Sequence, residues 1–315
     1  MTVAVLMSTY NGEKYVAEQI DSILAQNLEG GVIRLYIRDD GSSDATVRIL
    51  KKYASEHENI IFINQEQIEN LGIQKSFLSL LEYAFHDPEN DYFAFSDQDD
   101  VWLKNKICEG LEVIGKAGIS DKGVLYYSNK TFTDDNLNII REEDIKFYND
   151  IFEVLWKNLA SGCTMILDKK LAGICLQHKP ETSILHDSWI YHVAKLICCP
   201  VLFDTRSFIL YRQHGDNNVG MEGAQLYHSN LGYMLKRFVP VLFLKRKHNK
   251  QKFITEIYSN YFDLIPEQNR RLAEDVIHYR YNPAAKYRLI HNQYMNKRDN
   301  KSRAVWRYYI LFNRV

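Results

Sequence analysis

Three carboxylates, Asp97, Asp99 and Asp100, fall within four positions of the run Tyr-Phe-Ala-Phe-Ser-Asp-Gln-Asp-Asp-Val-Trp at residues 92–102. Like charges packed this tightly repel one another unless a cation neutralises them. Oxygen donors suit a hard ion such as Mg²⁺ or Mn²⁺. The apolar residues Tyr92 to Phe95 read as a buried strand, which puts the acids at its carboxyl end. That edge is where open α/β sheets bind ligands. An isolated Asp-x-Asp is equally a solvated acidic turn, so the surrounding elements decide.

Those elements alternate. Thr2 to Met7 is a continuous apolar run, expected for a strand buried on both faces. The loop Ser8-Thr9-Tyr10-Asn11-Gly12 follows, with Asn11 placed to cap a helix carrying Val16, Ile20, Ile23 and Leu24 at helical spacing. Val32 to Ile37 predicts a second strand, ending in Arg38-Asp39-Asp40-Gly41-Ser42-Ser43-Asp44. A helix with Val47, Leu50 and Ala54, a strand over Ile60 to Ile63, and a helix with Ile73, Phe77, Leu80, Leu81 and Ala84 lead to the acidic run. This alternation predicts a doubly wound, mostly parallel sheet. Right-handed crossovers then bring the strand ends at Thr9-Tyr10-Asn11, Asp39-Asp40 and Asp97–Asp100 to one edge.

No Gly-x-Gly-x-x-Gly follows the first strand, and no phosphate-loop Gly-Lys-Ser/Thr occurs. Both absences argue against a dinucleotide enzyme and a phosphate-loop ATPase. A nucleotide site built from carboxylates and a tyrosine remains. An ionised Asp40 can accept the imide N–H of a uracil or thymine, and Tyr10 can stack on the base. The plainer readings are an Asx turn for Asp40 and a packed core aromatic for Tyr10.

Downstream, Val124 to Ser128, Thr164 to Leu167 and Ser207 to Tyr211 read as strands. The Gly of Ala160-Ser161-Gly162-Cys163 suggests a close backbone approach. His186-Asp187 precedes a helical run, so Asp187 suits a helix N-cap as well as a base. Taken in order, Ser8–Gly12, Asp39–Asp44, Asn70-Leu71-Gly72, Ser96–Trp102, Ser161–Met165, His186–Trp189 and Tyr211-Arg212-Gln213-His214 resemble the family 2 glycosyltransferases of the GT-A fold. The likeness covers roughly residues 1–220, and the Asp-Gln-Asp-Asp-Val-Trp form is similar to bacterial rhamnosyltransferase-like members.

The resemblance implies a GT-A, Rossmann-like sheet flanked by helices and an inverting, metal-dependent sugar transfer. It implies nucleotide contacts from Thr9, Tyr10, Asn11, Asp40 and Asp97. Asp99 and His214 would meet a Mn²⁺ or Mg²⁺ ion, and Asp187 would be the catalytic base. Asp100, Trp102, Gly162, His186, Trp189 and Arg212 would lie near the donor sugar or acceptor. The implied donor is a dTDP- or UDP-sugar, with dTDP-rhamnose first and UDP-glucose or UDP-galactose as alternatives. The implied acceptor is a hydroxyl of a lipid-linked saccharide in bacterial surface polysaccharide synthesis. From another class, a metal-dependent nucleotidyltransferase or phosphohydrolase also uses clustered aspartates.

Composition sets the outer bounds. A chain of 315 residues with 13% aromatics can bury an ample core and argues against disorder. Five irregularly spaced cysteines form neither a zinc pattern nor a disulfide framework, which fits a reducing cytoplasm. Met1-Thr2 leads straight into the first strand, predicting no signal peptide. Charge is lopsided: from residue 230 onward there are 18 Lys and Arg against 6 Asp and Glu, leaving 21 against 34 before it. This shift predicts a catalytic domain over 1–222 and a basic, aromatic, mostly helical region over 223–315. Lys236-Arg237, Lys245-Arg246-Lys247 and the stretch Arg303 to Phe312 suit an anionic membrane surface, with the protein peripheral at the inner face of the cell membrane. A helical cap on the catalytic domain, or contact with a second copy in a homodimer, would use the same residues. The tail carries no recognisable nucleic-acid motif, and the main domain is acidic, so a nucleic-acid partner is not expected.

Overall fold

The computed structural model describes residues 1–118, 120–145, 150–215 and 249–313. Four parallel strands, β1 (Thr2–Thr9), β2 (Val32–Asp39), β3 (Ile60–Phe62) and β4 (Tyr92–Ser96), stand in the order β3-β2-β1-β4. Helices α1 (Val16–Leu24), α2 (Thr46–Glu56) and α3 (Ile73–Phe85) make the crossovers. Along β1, Val3, Val5 and Met7 enter one apolar cluster with Val16, Ile20 and Leu50, while Ala4 and Leu6 enter another with Phe77 and Leu81. Both faces are covered, which is why the strand is an unbroken apolar run rather than an alternating one.

The sheet continues through β8 (Ile166–Asp168), antiparallel to β4, then β6 (Leu125–Thr133), β9 (Val201–Arg212) and β5 (Val101–Trp102). β9 runs parallel to β6, and β5 pairs antiparallel with β9. The short strand β7 (Ile139–Glu142) pairs with β6. Helices α4 (Lys106–Ala117), α5 (Ile151–Val154), α6 (Lys169–Leu176) and α7 (His186–Leu196) complete this part. The predicted β/α alternation therefore holds through β4, and the remainder is a mixed sheet. The acidic run is the pivot, because the chain leaves β4 at Ser96, turns through Asp97–Asp100 and returns as β5 on the far edge.

The C-terminal helices α8 (Asn249–Asn260), α9 (Glu267–His278), α10 (Pro283–Ile290), α11 (Gln293–Asn296) and α12 (Asn300–Leu311) share the core of the sheet domain. Phe253, Ile257, Val276, Leu289, Met295 and Ile310 belong to the same buried cluster as Trp189, Leu196 and Phe152. Trp306 packs edge-on against Phe152, with ring centroids 5.8 Å apart. Much of the basic charge is spent internally. Arg303 donates to the carbonyls of Met295, Asn296 and Arg298, and Arg288 pairs with Asp275 at 2.6 Å. The stretch Arg303 to Phe312 is thus turned partly inward, with Trp306 and Ile310 packed and Leu311 and Phe312 exposed. The segments Lys236-Arg237 and Lys245–Lys247 lie outside the described residues.

One buried ion group seals the cap. The Arg298 side chain is fully buried and donates to Asp150 at 3.2 Å, with Glu153 3.8 Å away. Asp150 also caps α5 by accepting from the Glu153 N–H at 2.9 Å. Removing one partner strands buried charge, which typically costs about 3–5 kcal/mol. Arg298→Met should therefore lower unfolding stability by about that amount, read as a fall in denaturant midpoint. A loss below about 1 kcal/mol would show the group to be solvated.

Candidate active site

The registers place Thr9 beside Asp39 and Met7 beside Ser96, so the three polar strand ends share one edge. Their loops are tied together. Gln98, the middle residue of the acidic turn, accepts from the Tyr10 N–H at 2.8 Å and donates to the Tyr10 carbonyl at 3.0 Å. Gly12 permits this approach, since a Cβ there would sit 2.3 Å from Gln98 Oε1. Asn11 does not cap α1. With φ of 48° it donates its N–H to Ser42 Oγ and accepts from the Ser43 N–H, each at 2.8 Å, lacing the first loop to the second.

The two aspartates after β2 divide their labour. Asp39 makes the turn, accepting from Thr9 Oγ1 at 2.9 Å, the Gly41 N–H at 3.1 Å and the Ser42 N–H at 2.8 Å. Thr9 is buried in that contact. Asp40 is also buried, and its carboxylate accepts from Arg38 at 2.6 Å and from the Leu71 and Gly72 N–H groups at 2.7 and 2.9 Å. Its Oδ2 takes only the Gly72 bond, so that oxygen keeps the spare lone pair for a base. Tyr10 is not a packed aromatic: its side chain is 53% exposed at the rim, with its ring open for stacking.

In the acidic turn, Asp99 Oδ2 lies 2.8 Å from His214 Nε2, both largely enclosed. The His214 ring packs on Tyr15 at 4.9 Å. Carboxylate oxygens of Asp97 and Asp100 and the Cys163 thiol lie within 4.8 Å of one another. Asp100 accepts from the Arg212 N–H at 3.2 Å, while its buried Oδ2 has no hydrogen-bond partner. Burial first, then the neighbouring Asp99 charge, pushes the Asp97 and Asp100 carboxyls above their ordinary range. Burial likewise keeps the Cys163 thiol protonated, so it offers no thiolate. Carboxylate oxygens, one imidazole and an orphaned buried carboxyl oxygen fit a hard divalent cation. The turn thus carries two groupings, Asp97 with Asp100 and Cys163, and Asp99 with His214.

Arg212 is the turn's clamp. Its buried guanidinium donates to the Asp99 carbonyl at 2.9 Å, to Glu18 at 2.5 Å and to the Asp135 carbonyl. It therefore supports the acidic turn. Trp102 is 2% exposed on β5, beneath the Lys106 ammonium at 3.7 Å. Trp189 is fully buried, its indole N–H donating to the Cys175 carbonyl at 3.3 Å. Both rings pack inward, Trp102 beside the acidic turn and Trp189 two residues after Asp187.

Asp187 sits in the first turn of α7, nearly buried; the cap position itself is Leu185. It accepts from the Gly162 N–H at 3.2 Å and the Ser188 N–H at 2.5 Å. Burial raises its carboxyl above the ordinary value, and these two N–H groups and Lys130 work against that. Its neighbour His186 stacks on Phe77 at 4.0 Å and tilts on Phe95 at 4.7 Å, and burial pushes it down to about 3, so it stays neutral. A Cβ at Gly162 would meet His186 Nε2 at 2.6 Å. That ring is wedged between two phenylalanines and has little room to yield. Gly162→Ala should cost about 1–3 kcal/mol of stability by overpacking, measured by denaturant unfolding. An unchanged midpoint would mean the ring moves freely.

Sequence reasoning passed over Lys130, Glu18, Asp135 and Tyr15. For Lys130 there was a signal, a lysine within the aromatic strand Leu-Tyr-Tyr-Ser-Asn-Lys-Thr-Phe-Thr, all nine residues of which are buried.

The doubly wound sheet thus carries an acidic turn at its ligand edge and a second carboxylate held by backbone N–H groups. The model for glycosyl transferase family 2 matches residues 4–172, and the chain belongs to that family. The chain is 30% identical over 223 residues to the dTDP-rhamnosyl transferase RfbG of Shigella flexneri, covering 68% of this chain and 73% of that one. It is 24% identical over 263 residues to an uncharacterised glycosyltransferase of Rickettsia typhi, covering 81% and 78%. Among solved structures, the S. aureus TarS fragment 1–349 in complex with UDP shares the fold, with TM-score 0.55, 17% identity, and 99% of this chain and 87% of that one covered.

Proposed function

We propose that the protein transfers a sugar, with inversion, from a pyrimidine nucleoside diphosphate donor to a saccharide hydroxyl, and that the donor is dTDP-rhamnose. The donor assignment is supported by the 30% identity to a dTDP-rhamnosyl transferase. The observation that carries the mechanism is Asp187, a buried carboxylate in the first turn of α7 held by two backbone N–H groups.

Tyr10 stacks on the base, Asp40 accepts the imide proton, and Thr9 and Asn11 set the loop shape. Asp97, Asp99 and His214 hold Mn²⁺ or Mg²⁺, which when bound offsets the charge of the departing diphosphate. Asp187 takes the proton from the acceptor hydroxyl as its oxygen attacks the anomeric carbon opposite the leaving group. Gly162 keeps space open beside Asp187, and Asp100 and Arg212 brace the turn.

The acceptor is a lipid-linked saccharide of a bacterial surface polysaccharide, met at an anionic membrane by the basic C-terminal region. Exposed Tyr281, Tyr287, Leu311 and Phe312 support that docking, and no helix among the described residues is long and apolar enough to cross a membrane. Assaying dTDP-rhamnose beside UDP-glucose and UDP-galactose, with and without acceptor, tests the donor. Sugar transfer from dTDP-rhamnose alone is expected. Nucleotide release without any glycoside would indicate a phosphohydrolase instead. Flotation with anionic vesicles at low salt tests the docking, and protein left at the bottom of the gradient would refute it.

A further inference from the structure

Lys130 lies on β6, buried at 7% exposure. Its ammonium donates to Ser161 Oγ at 2.8 Å and stands 4.2 Å from the centre of the Tyr211 ring. Burying an ammonium is unfavourable unless anions surround it. Here its charge lowers the carboxyls of Asp97, Asp100, Asp187 and Glu143. Ser161 immediately precedes Gly162, whose N–H holds Asp187. Lys130 thus reaches Asp187 twice, through space by its charge and through the Ser161-Gly162 backbone by its hydrogen bond.

We propose that Lys130 is a positioning residue for the transfer, fixing the 161–162 backbone that orients Asp187. This rests on Asp187 being the base. The groups that bear on Asp187 are the Gly162 and Ser188 N–H groups, Lys130 on β6, Asn158 before the Ser161 loop, and the neutral His186 beside it. Burial disfavours the carboxylate, and Lys130 favours it. Removing the ammonium leaves burial less opposed, so the Asp187 carboxyl titrates at higher pH. Each unit of displacement cuts the ionised fraction about tenfold below the midpoint.

The test is kcat and kcat/KM against pH for Lys130→Met and Lys130→Arg at saturating Mg²⁺ or Mn²⁺, with dTDP affinity by calorimetry. In Lys130→Met the acid limb should move to higher pH by about one unit, with kcat down about tenfold at pH values below both midpoints and recovering as pH rises. Lys130→Arg should keep the wild-type limb, and dTDP affinity should hold within about twofold in both. Lys130→Gln serves if the Met variant does not fold. A uniform fall of kcat at every pH would show a merely structural lysine and overturn the proposal. Weakened dTDP binding with an unmoved limb would instead make Lys130 a diphosphate contact and also overturn it. Asp187→Asn separates the two readings: if that variant turns over normally, the base reading has failed. If it is inert while the Lys130→Met limb stays put, only the role of Lys130 has failed.

Discussion

Asp187→Asn is expected to lower kcat by about 10²- to 10⁴-fold, the usual worth of a well-placed general base, while nucleotide binding persists. Asn retains the size of Asp, and its one amide oxygen can keep one of the two N–H bonds, from Gly162 or Ser188, that hold the native carboxylate. What it cannot do is take a proton. Stopped assays with donor and acceptor give kcat, and calorimetry with dTDP shows that the site is intact. Near-normal turnover would remove Asp187 from the mechanism. The wild-type profile carries the same signature. Burial raises the Asp187 carboxyl, so activity should fall on the acid side at a pH above that of an ordinary carboxylate.

Asp99→Ala should abolish the metal-dependent part of nucleotide affinity. Loss of an outer-shell partner alone typically costs about 10- to 100-fold in metal affinity, and a direct ligand should cost more. The side chain is enclosed and its Oδ2 meets His214 Nε2 at 2.8 Å, so the change also strips the imidazole of its orienting partner. Titrating dTDP with Mn²⁺ and then with EDTA should give two different affinities in the wild type and one in the variant. Equal metal enhancement in both proteins would refute the ligand role.

The first half of the fold was readable because its strands are unbroken apolar runs between amphipathic helices, a pattern that two-sided burial requires. The second half was harder. β8 is three residues long and antiparallel, and β5 is a two-residue strand whose partner lies on β9, so register there depends on long-range pairing that leaves no periodic trace. At the site, residue identities located the acidic turn and Asp187, but not which way each side chain points. Trp102 and Trp189 share stretches with chemistry-bearing residues and yet fill the core. Asn11 looked like a helix cap, whereas its left-handed backbone carries it to the next loop. Asp39 and Asp40 are adjacent and chemically identical, and only the partners on Thr9 and Arg38 tell them apart. In the C-terminal region, composition showed the excess of cations but not that Arg298 would be walled in against Asp150.

The double hydrogen bond between Gln98 and Tyr10 has a thermodynamic corollary. It makes the base-side loop and the ion-side turn one mechanical piece, so ordering either half orders the other. Occupancy of the two subsites must then be reciprocal: whatever factor the cation adds to nucleotide affinity, the nucleotide adds to cation affinity. Severing that amide bridge should weaken both sites and leave only the coupling that runs through the diphosphate itself.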